Sequence, residues 1–208
     1  MRQGFIKVAA LTPKVKVADT TYNREQICML IDEAQEKSAK ILVFPELCIT
    51  GYTCGDLFYQ ELLLREAKKE LLAIAKYTER KDCLVFVGLP LEHQGKLYNV
   101  AAAIAQGKVL GLVPKTHIPN YNEFYEARYF TSGEDVDGTV TIRRSEYGLH
   151  HDEEMTDEDV EFGLEAELEA LEEEDSFEEL EEIDAGFREV CANRKRNMIV
   201  MGDKFPFR

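Results

Sequence analysis

ILVFPELCITGY, residues Ile41 to Tyr52, runs four apolar residues into a proline and then a single glutamate, Glu46. The apolar run has the length and branched composition of a buried strand. A carboxylate at the end of such a strand is costly to desolvate unless it is paired or used. In an alternating α/β pattern, the carboxyl ends of the strands are where open sheets keep their sites. GLVPKTHIPNYNEFYEARYF, Gly111 to Phe130, repeats the device with the opposite charge: an apolar run, Pro114, then Lys115. A glutamate and a lysine delivered alike from separate strands predict one pocket, with a carboxylate and an ammonium facing each other.

Around these two stretches the chain alternates strand and helix. FIKVAAL (Phe5 to Leu11) is a short apolar run fit for a buried strand. NREQICMLIDEAQEKS (Asn23 to Ser38) places Ile27, Leu30, Ile31 and Ala34 on one helical face, with Asn23 at the expected cap. YQELLLREAKKELLAIAKYTERK (Tyr59 to Lys81) predicts a longer amphipathic helix whose acid-first, base-last bias suits the helix dipole. CLVFVGLP, KLYNVAAAIA and KVLGLVPK follow as three strands, and HQGK and AQGK between them read as tight turns. The order β-α-β-α-β-β-β predicts an α/β fold built on a mixed sheet with flanking helices, its later strands antiparallel.

Charge divides the chain. It has 208 residues and a formal net charge of −15. Residues 143–208 hold 22 of the 40 acidic and 8 of the 25 basic residues, so residues 1–142 are nearly neutral. The predicted domains are therefore 1–142, a globular unit, and 143–208, an acidic segment. Leu164, Leu168, Leu171, Phe177, Leu180, Ile183 and Phe187 recur there at helical spacing. Two readings stand: a pair of amphipathic helices, or an acidic disordered segment that folds on contact. NMIVMGD, near the end, is strand-like.

The bulk properties predict a cytoplasmic protein that binds neither nucleic acid nor membrane. An acidic end repels phosphate, no apolar run reaches the roughly 18–20 residues of a membrane span, and the N-terminus lacks signal-peptide character. Five cysteines (Cys28, Cys48, Cys54, Cys83 and Cys191) without paired or metal-type spacing predict reduced thiols and no metal site.

FPELCITGY followed by PKTHIPNYNEFYEARYFTSGE resembles the carbon–nitrogen hydrolase (nitrilase) superfamily, and within it the N-terminal glutaminase domain of the glutamine-dependent NAD synthetases. GFIKVAALTPKVKVADTTYNREQICMLIDEA and GDLFYQELLLREA are similar to the same domain, and the resemblance covers about residues 3–142. It implies a partial nitrilase-like α-β-β-α sandwich, and L-glutamine as the substrate whose amide hydrolysis supplies ammonia for amidation of deamido-NAD. It also implies homo-oligomers in the full-length family. ATP and magnesium are expected only in a synthetase domain, so none is expected in this chain.

Residue by residue, the resemblance casts Glu46 as the general base and Lys115 as the cation that steadies the tetrahedral intermediate. Glu126, preferred over Glu123, becomes a second pocket glutamate that positions the lysine. Tyr121 and Tyr52 match substrate-binding positions, where a ring with one hydroxyl suits the edge of a small polar pocket. Plainer roles stand beside these: Glu46 pairing with Arg80 or Lys81, Lys115 as a surface lysine, and Tyr121 as a packing ring.

The nucleophile departs from the family pattern. A thioester route needs a cysteine well past the lysine, and only Cys191, in helix-like surroundings, follows Lys115. GDKFPFR faintly echoes a turn that family members carry soon after the strand matched by Val140 to Ile142, which would make residues 143–198 an insertion. No phosphate loop of the synthetase type is present in the sequence. The expectation is an N-terminal piece of a glutamine-dependent NAD synthetase, inactive alone for want of its cysteine. The alternatives are another carbon–nitrogen hydrolase (an amidase or nitrilase), a non-catalytic interaction protein using the acidic tail, or a broken reading frame.

Overall fold

β1 (Val8–Ala10), β2 (Ile41–Val43) and β3 (Leu84–His93) lie side by side and parallel in the computed structural model. It describes residues 6–136, 138–142 and the backbone of 158–162. The chain divides into two compact units, Met1–Ala170 and Leu171–Arg208, and all of the second lies outside the described residues. The expected acidic helices, the NMIVMGD strand, Cys191 and the GDKFPFR turn fall there or among other residues not described.

Helix α1 (Thr20–Glu36) begins four residues before the start that a cap at Asn23 would set. Its cap is Asp19, whose carboxylate accepts the Tyr22 N–H at 3.1 Å, rather than Asn23. Asn23 is fully buried within the first turn, where its amide accepts from Lys16 N at 2.7 Å and donates to Lys16 O at 2.8 Å and Ile49 O at 3.0 Å. One side chain thus fixes the approach to α1 against the turn that follows β2. Asn23→Ala would take a partner from the buried Ile49 carbonyl and from Lys16 N, and is expected to cost about 2 kcal/mol, read as a lowered urea midpoint without a change of slope.

Helix α2 (Glu61–Tyr77) carries Glu61 in its first turn and Lys76 in its last, as its dipole favours. Its buried face, with Ala67, Leu71, Ile74 and Ala75, meets Ile27 and Ile31 of α1 and one face of the sheet. Glu70, only 4% exposed, is accommodated between the helices by the Thr21 hydroxyl at 2.8 Å and the Arg24 guanidinium at 2.6 Å.

β3, β4 (Lys96–Ala105) and β5 (Lys108–Pro114) form an antiparallel meander. Gln94–Gly95 and Gln106–Gly107 turn the chain with positive φ at both residues of each pair, the geometry that matches strand twist in two-residue hairpins. β3 runs past the expected end at Pro90. Alternate residues of β3 turn their backbone groups toward β2 and the turn beyond it: Phe86 O accepts from Phe44 N and Gly88 O from Ile49 N. Pro90 falls beyond the last of these bonds, where no donor is needed.

β6 (Gly138–Ile142) and β7 (Glu158–Phe162) bring the sheet to seven strands among the described residues, in the order β1-β2-β3-β4-β5-β7-β6. β7 pairs parallel to β5 and antiparallel to β6. The sheet therefore extends past Ile142, where the sequence places the start of the acidic segment.

The sheet's helix-covered face holds the main core, with Leu42, Val85, Val87, Leu89, Val100 and Ile104 all at most 1% exposed. The opposite face carries smaller residues, among them Gly88, Ala101 and Ala103, and Val43 remains 39% exposed there. One helix layer and one sheet layer of an α-β-β-α arrangement are thus described.

Candidate active site

β2 ends at Val43, and the chain turns sharply through Pro45, Glu46 and Leu47. Leu47 takes a left-handed φ of 52°, unusual for a bulky residue. Its carbonyl accepts from Thr50 N at 3.2 Å and Gly51 N at 2.7 Å, and Leu47 itself is fully buried beside Phe58, Leu63 and Phe130. A strained backbone is thus fixed on both sides. The turn lies directly on β3: a Cβ added at Gly88 would stand 2.3 Å from Leu47 N and 2.9 Å from Glu46 Cα. Only glycine in VFVGLP lets the Glu46 turn settle there.

Lys115 leaves the end of β5, its N–H donating to Asn99 O of β4 at 2.8 Å and its carbonyl accepting from Gly133 N at 3.0 Å. With its backbone held on both sides, the ammonium reaches two carboxylates. Lys115 Nζ donates to Glu46 Oε1 at 2.6 Å, and to Glu126 Oε2 at 2.8 Å and Oε1 at 3.1 Å. Glu126, 5% exposed, begins a short 3-10 turn, Glu126–Arg128. Exposed Arg128 pairs with Asp56 at 2.8 Å and so ties this segment to the turn Gly55–Tyr59. Glu123, the competing glutamate, is exposed.

The two carboxylates differ in how they are used. Glu126 has both oxygens engaged by Lys115, and Oε1 also accepts the Tyr52 hydroxyl at 2.6 Å. Glu46 receives both of its donors, Lys115 Nζ and the side-chain amide of Asn99, on Oε1. Among the described residues, Oε2 of Glu46 has no donor. Glu126 is an anchor, and Glu46 is half open.

Burial works against the charge of Lys115. Hydrogen bonds from its ammonium to Glu126 and Glu46, and the two negative charges, outweigh burial and hold the ammonium above its ordinary value. Tyr52 is likewise raised, by burial first and then by the bond to Glu126 and the charges of Glu126 and Glu46. The cluster therefore holds one cation and a neutral phenol against two acids near neutral pH.

Of the residues expected from sequence, Glu46, Lys115, Glu126 and Tyr52 stand in one hydrogen-bonded group. Tyr121 stands apart from them, 63% exposed, its ring edge-on to Phe124 at 5.6 Å. The plainer partner named for Glu46, Lys81, pairs instead with Asp32 at 2.5 Å. Cys48 and Cys54 flank the glutamate in sequence but are buried, and burial pushes the Cys48 thiol up to about 12 and raises that of Cys54. Neither presents a thiolate. Asn99 went unremarked in the sequence, although a single amide inside the otherwise apolar KLYNVAAAIA was the available signal. Among the described residues no group of three His, Cys, Asp or Glu side chains could hold a metal ion, and no helix is long and apolar enough to cross a membrane.

The carbon–nitrogen hydrolase family model matches residues 7–150. The chain belongs to this family. Among curated relatives, a glutamine-dependent NAD(+) synthetase of Mycobacterium leprae is 36% identical over 140 residues, 67% of this chain and 21% of that protein. One from Aquifex aeolicus is 44% identical over 119 residues, 57% of this chain and 21% of that protein. The crystal structure of a glutamine-dependent NAD(+) synthetase from Cytophaga hutchinsonii superimposes with a TM-score of 0.64 at 30% identity, covering 76% of this chain and 25% of that one. The nitrilase-like α/β fold, a mixed sheet with flanking helices, follows from that likeness. The chain spans about a fifth of the length of the curated relatives it matches.

Proposed function

We propose that the chain is the N-terminal part of a glutamine-dependent NAD synthetase, and that its Glu46–Lys115–Glu126 cluster serves hydrolysis of the L-glutamine side-chain amide. The observation that carries this is one lysine bridging a saturated buried carboxylate and a half-open one. Glu46, with Oε2 unclaimed, is placed to take a proton; Lys115, held charged, is placed to stabilise an oxyanion. Glu126 holds the lysine, and the Tyr52 hydroxyl holds Glu126. Tyr121, on its exposed loop, is a substrate contact in this reading. The ammonia released would serve amidation of deamido-NAD in a second unit, where ATP and magnesium belong, and the working assembly is a homo-oligomer in the cytoplasm. Residues 1–142 carry the hydrolase cluster, and 143–208 are an acidic segment that returns one strand, β7, to the same sheet.

The buried Cys48 and Cys54 thiols supply no nucleophile, so no measurable ammonia is expected from L-glutamine with the purified 208-residue chain. Robust turnover lost in Cys191→Ala would overturn that expectation. Recognition is tested separately by titrating the 15N-labelled chain with L-glutamine. Saturable amide shifts confined to the surroundings of Tyr52, Lys115 and Glu126, lost in Lys115→Met, are expected. An equal response to propionamide would favour a general amidase, and no response to any amide would remove the hydrolase reading.

A further inference from the structure

Asn99 is 3% exposed in the middle of β4, facing the small-residue side of the sheet beside Pro90 of β3. No backbone group needs its side chain: its own carbonyl accepts from Lys115 N, and its amide nitrogen Nδ2 donates to Glu46 Oε1. Lys115 Nζ donates to that same oxygen at 2.6 Å. A carboxylate held by a lysine alone can turn about its terminal torsion and offer either oxygen. A second donor on the same oxygen, fixed to a central strand, removes that freedom.

We propose that Asn99 is a positioning residue: it pins Oε1 of Glu46 against Lys115 and so assigns Oε2 as the atom that accepts the proton of an incoming thiol. In that step the S–H bond breaks, an O–H bond forms on Oε2, and the electron pair stays on sulfur as the thiolate. The Lys115 ammonium is not consumed; it remains on Oε1, and with one N–H shared between the two Glu126 oxygens, its third proton is left for the amide oxygen. This inference rests on the hydrolase reading of the site and adds to it a residue and an atom.

The test is the reactivity of Lys115 in the full chain, followed by competitive trace acetylation across pH 8 to 12 with mass-spectrometric readout of that lysine. With Asn99 in place, the acetylation midpoint lies above that of a free lysine. Asn99→Leu, similar in volume but without a donor, releases Glu46 to turn away, and the midpoint is expected to fall by about one pH unit. A residue that merely fills space would lower the melting temperature and leave this profile where it was. Glu46→Gln, run in parallel, reads the Glu46–Lys115 pairing directly. A shift in Glu46→Gln with none in Asn99→Leu overturns the role of Asn99 and leaves the pairing intact; no shift in either overturns both. Should Asn99→Leu fail to fold, the Asn99 side-chain amide protons of the native chain report instead. They are expected downfield and slow to exchange, and both features should vanish in Glu46→Gln. Their presence unchanged in Glu46→Gln overturns the proposal.

Discussion

Gly88→Ala is expected to destabilise the chain by about 3 kcal/mol, the upper end of what an overpacked methyl commonly costs. The added Cβ would stand 2.3 Å from Leu47 N, and 2.9 Å from Glu46 C and Cα, all backbone atoms with no rotamer to relieve the contact. To admit the methyl, the Glu46–Leu47 turn must lift from β3. That breaks the Ile49 N to Gly88 O bond of 3.1 Å and the contact of the Cys48 thiol with Gly88. It also disturbs Leu47, already in a left-handed conformation and buried in the smaller core. Urea unfolding of the purified variant gives the measurement, and a midpoint within error of the native one would show that the turn does not rest on β3. Ala101→Gly, opposite Gly88 on β4, is the control. It changes the same sheet face without touching the turn and should cost about 1 kcal/mol.

This contact explains why part of the site was legible in the sequence and part was not. The strand-then-proline delivery of Glu46 and Lys115 is local: each group sits at the end of an apolar run, and parallel delivery from one sheet brings them to one edge. The two Gln-Gly hairpins were legible for the same reason, since turn chemistry is written in adjacent residues. Gly88 and Asn99 act only through neighbours 40 and more residues away. A glycine in a strand is ambiguous between weakness and close approach, and a lone asparagine between a bulge and a buried donor. Only the register of β3 against β4 and the turn after β2 resolves them. Asn23 was misread in the opposite direction. Its position before an apolar helical stripe satisfies the cap pattern, but Asp19 lies ahead of it, and bonds to three backbone groups of Lys16 and Ile49 hold the buried Asn23 side chain inward.

Lys115→Met is expected to be the most damaging single change at the site, costing about 3–5 kcal/mol, because it strands a carboxylate that is nearly out of water. Glu126 has a side chain only 6% exposed, and its ammonium partner at 2.8 Å is its sole cation among the described residues. Tyr52 would remain as one neutral donor, too little for a buried negative charge. The loss should therefore be largely relieved in Lys115→Met/Glu126→Leu, where both charges are gone; a double variant as unstable as the single one would place the damage elsewhere. The pH dependence supplies a second check, with a definite sign. Lys115 and Tyr52 both hold their protons more tightly folded than unfolded, so the unfolded chain releases them first as the pH rises. The stability they confer is fully present below the unfolded values of 10.5 and 10.0, and is lost as the pH climbs through the higher folded ones. Between pH 9 and 11 the urea midpoint of the native chain should accordingly fall more steeply than that of Lys115→Met. Parallel slopes would mean that the ammonium is no better held in the folded chain than in water, and the bridge between Glu46 and Glu126 would then be too weak to organise a catalytic centre.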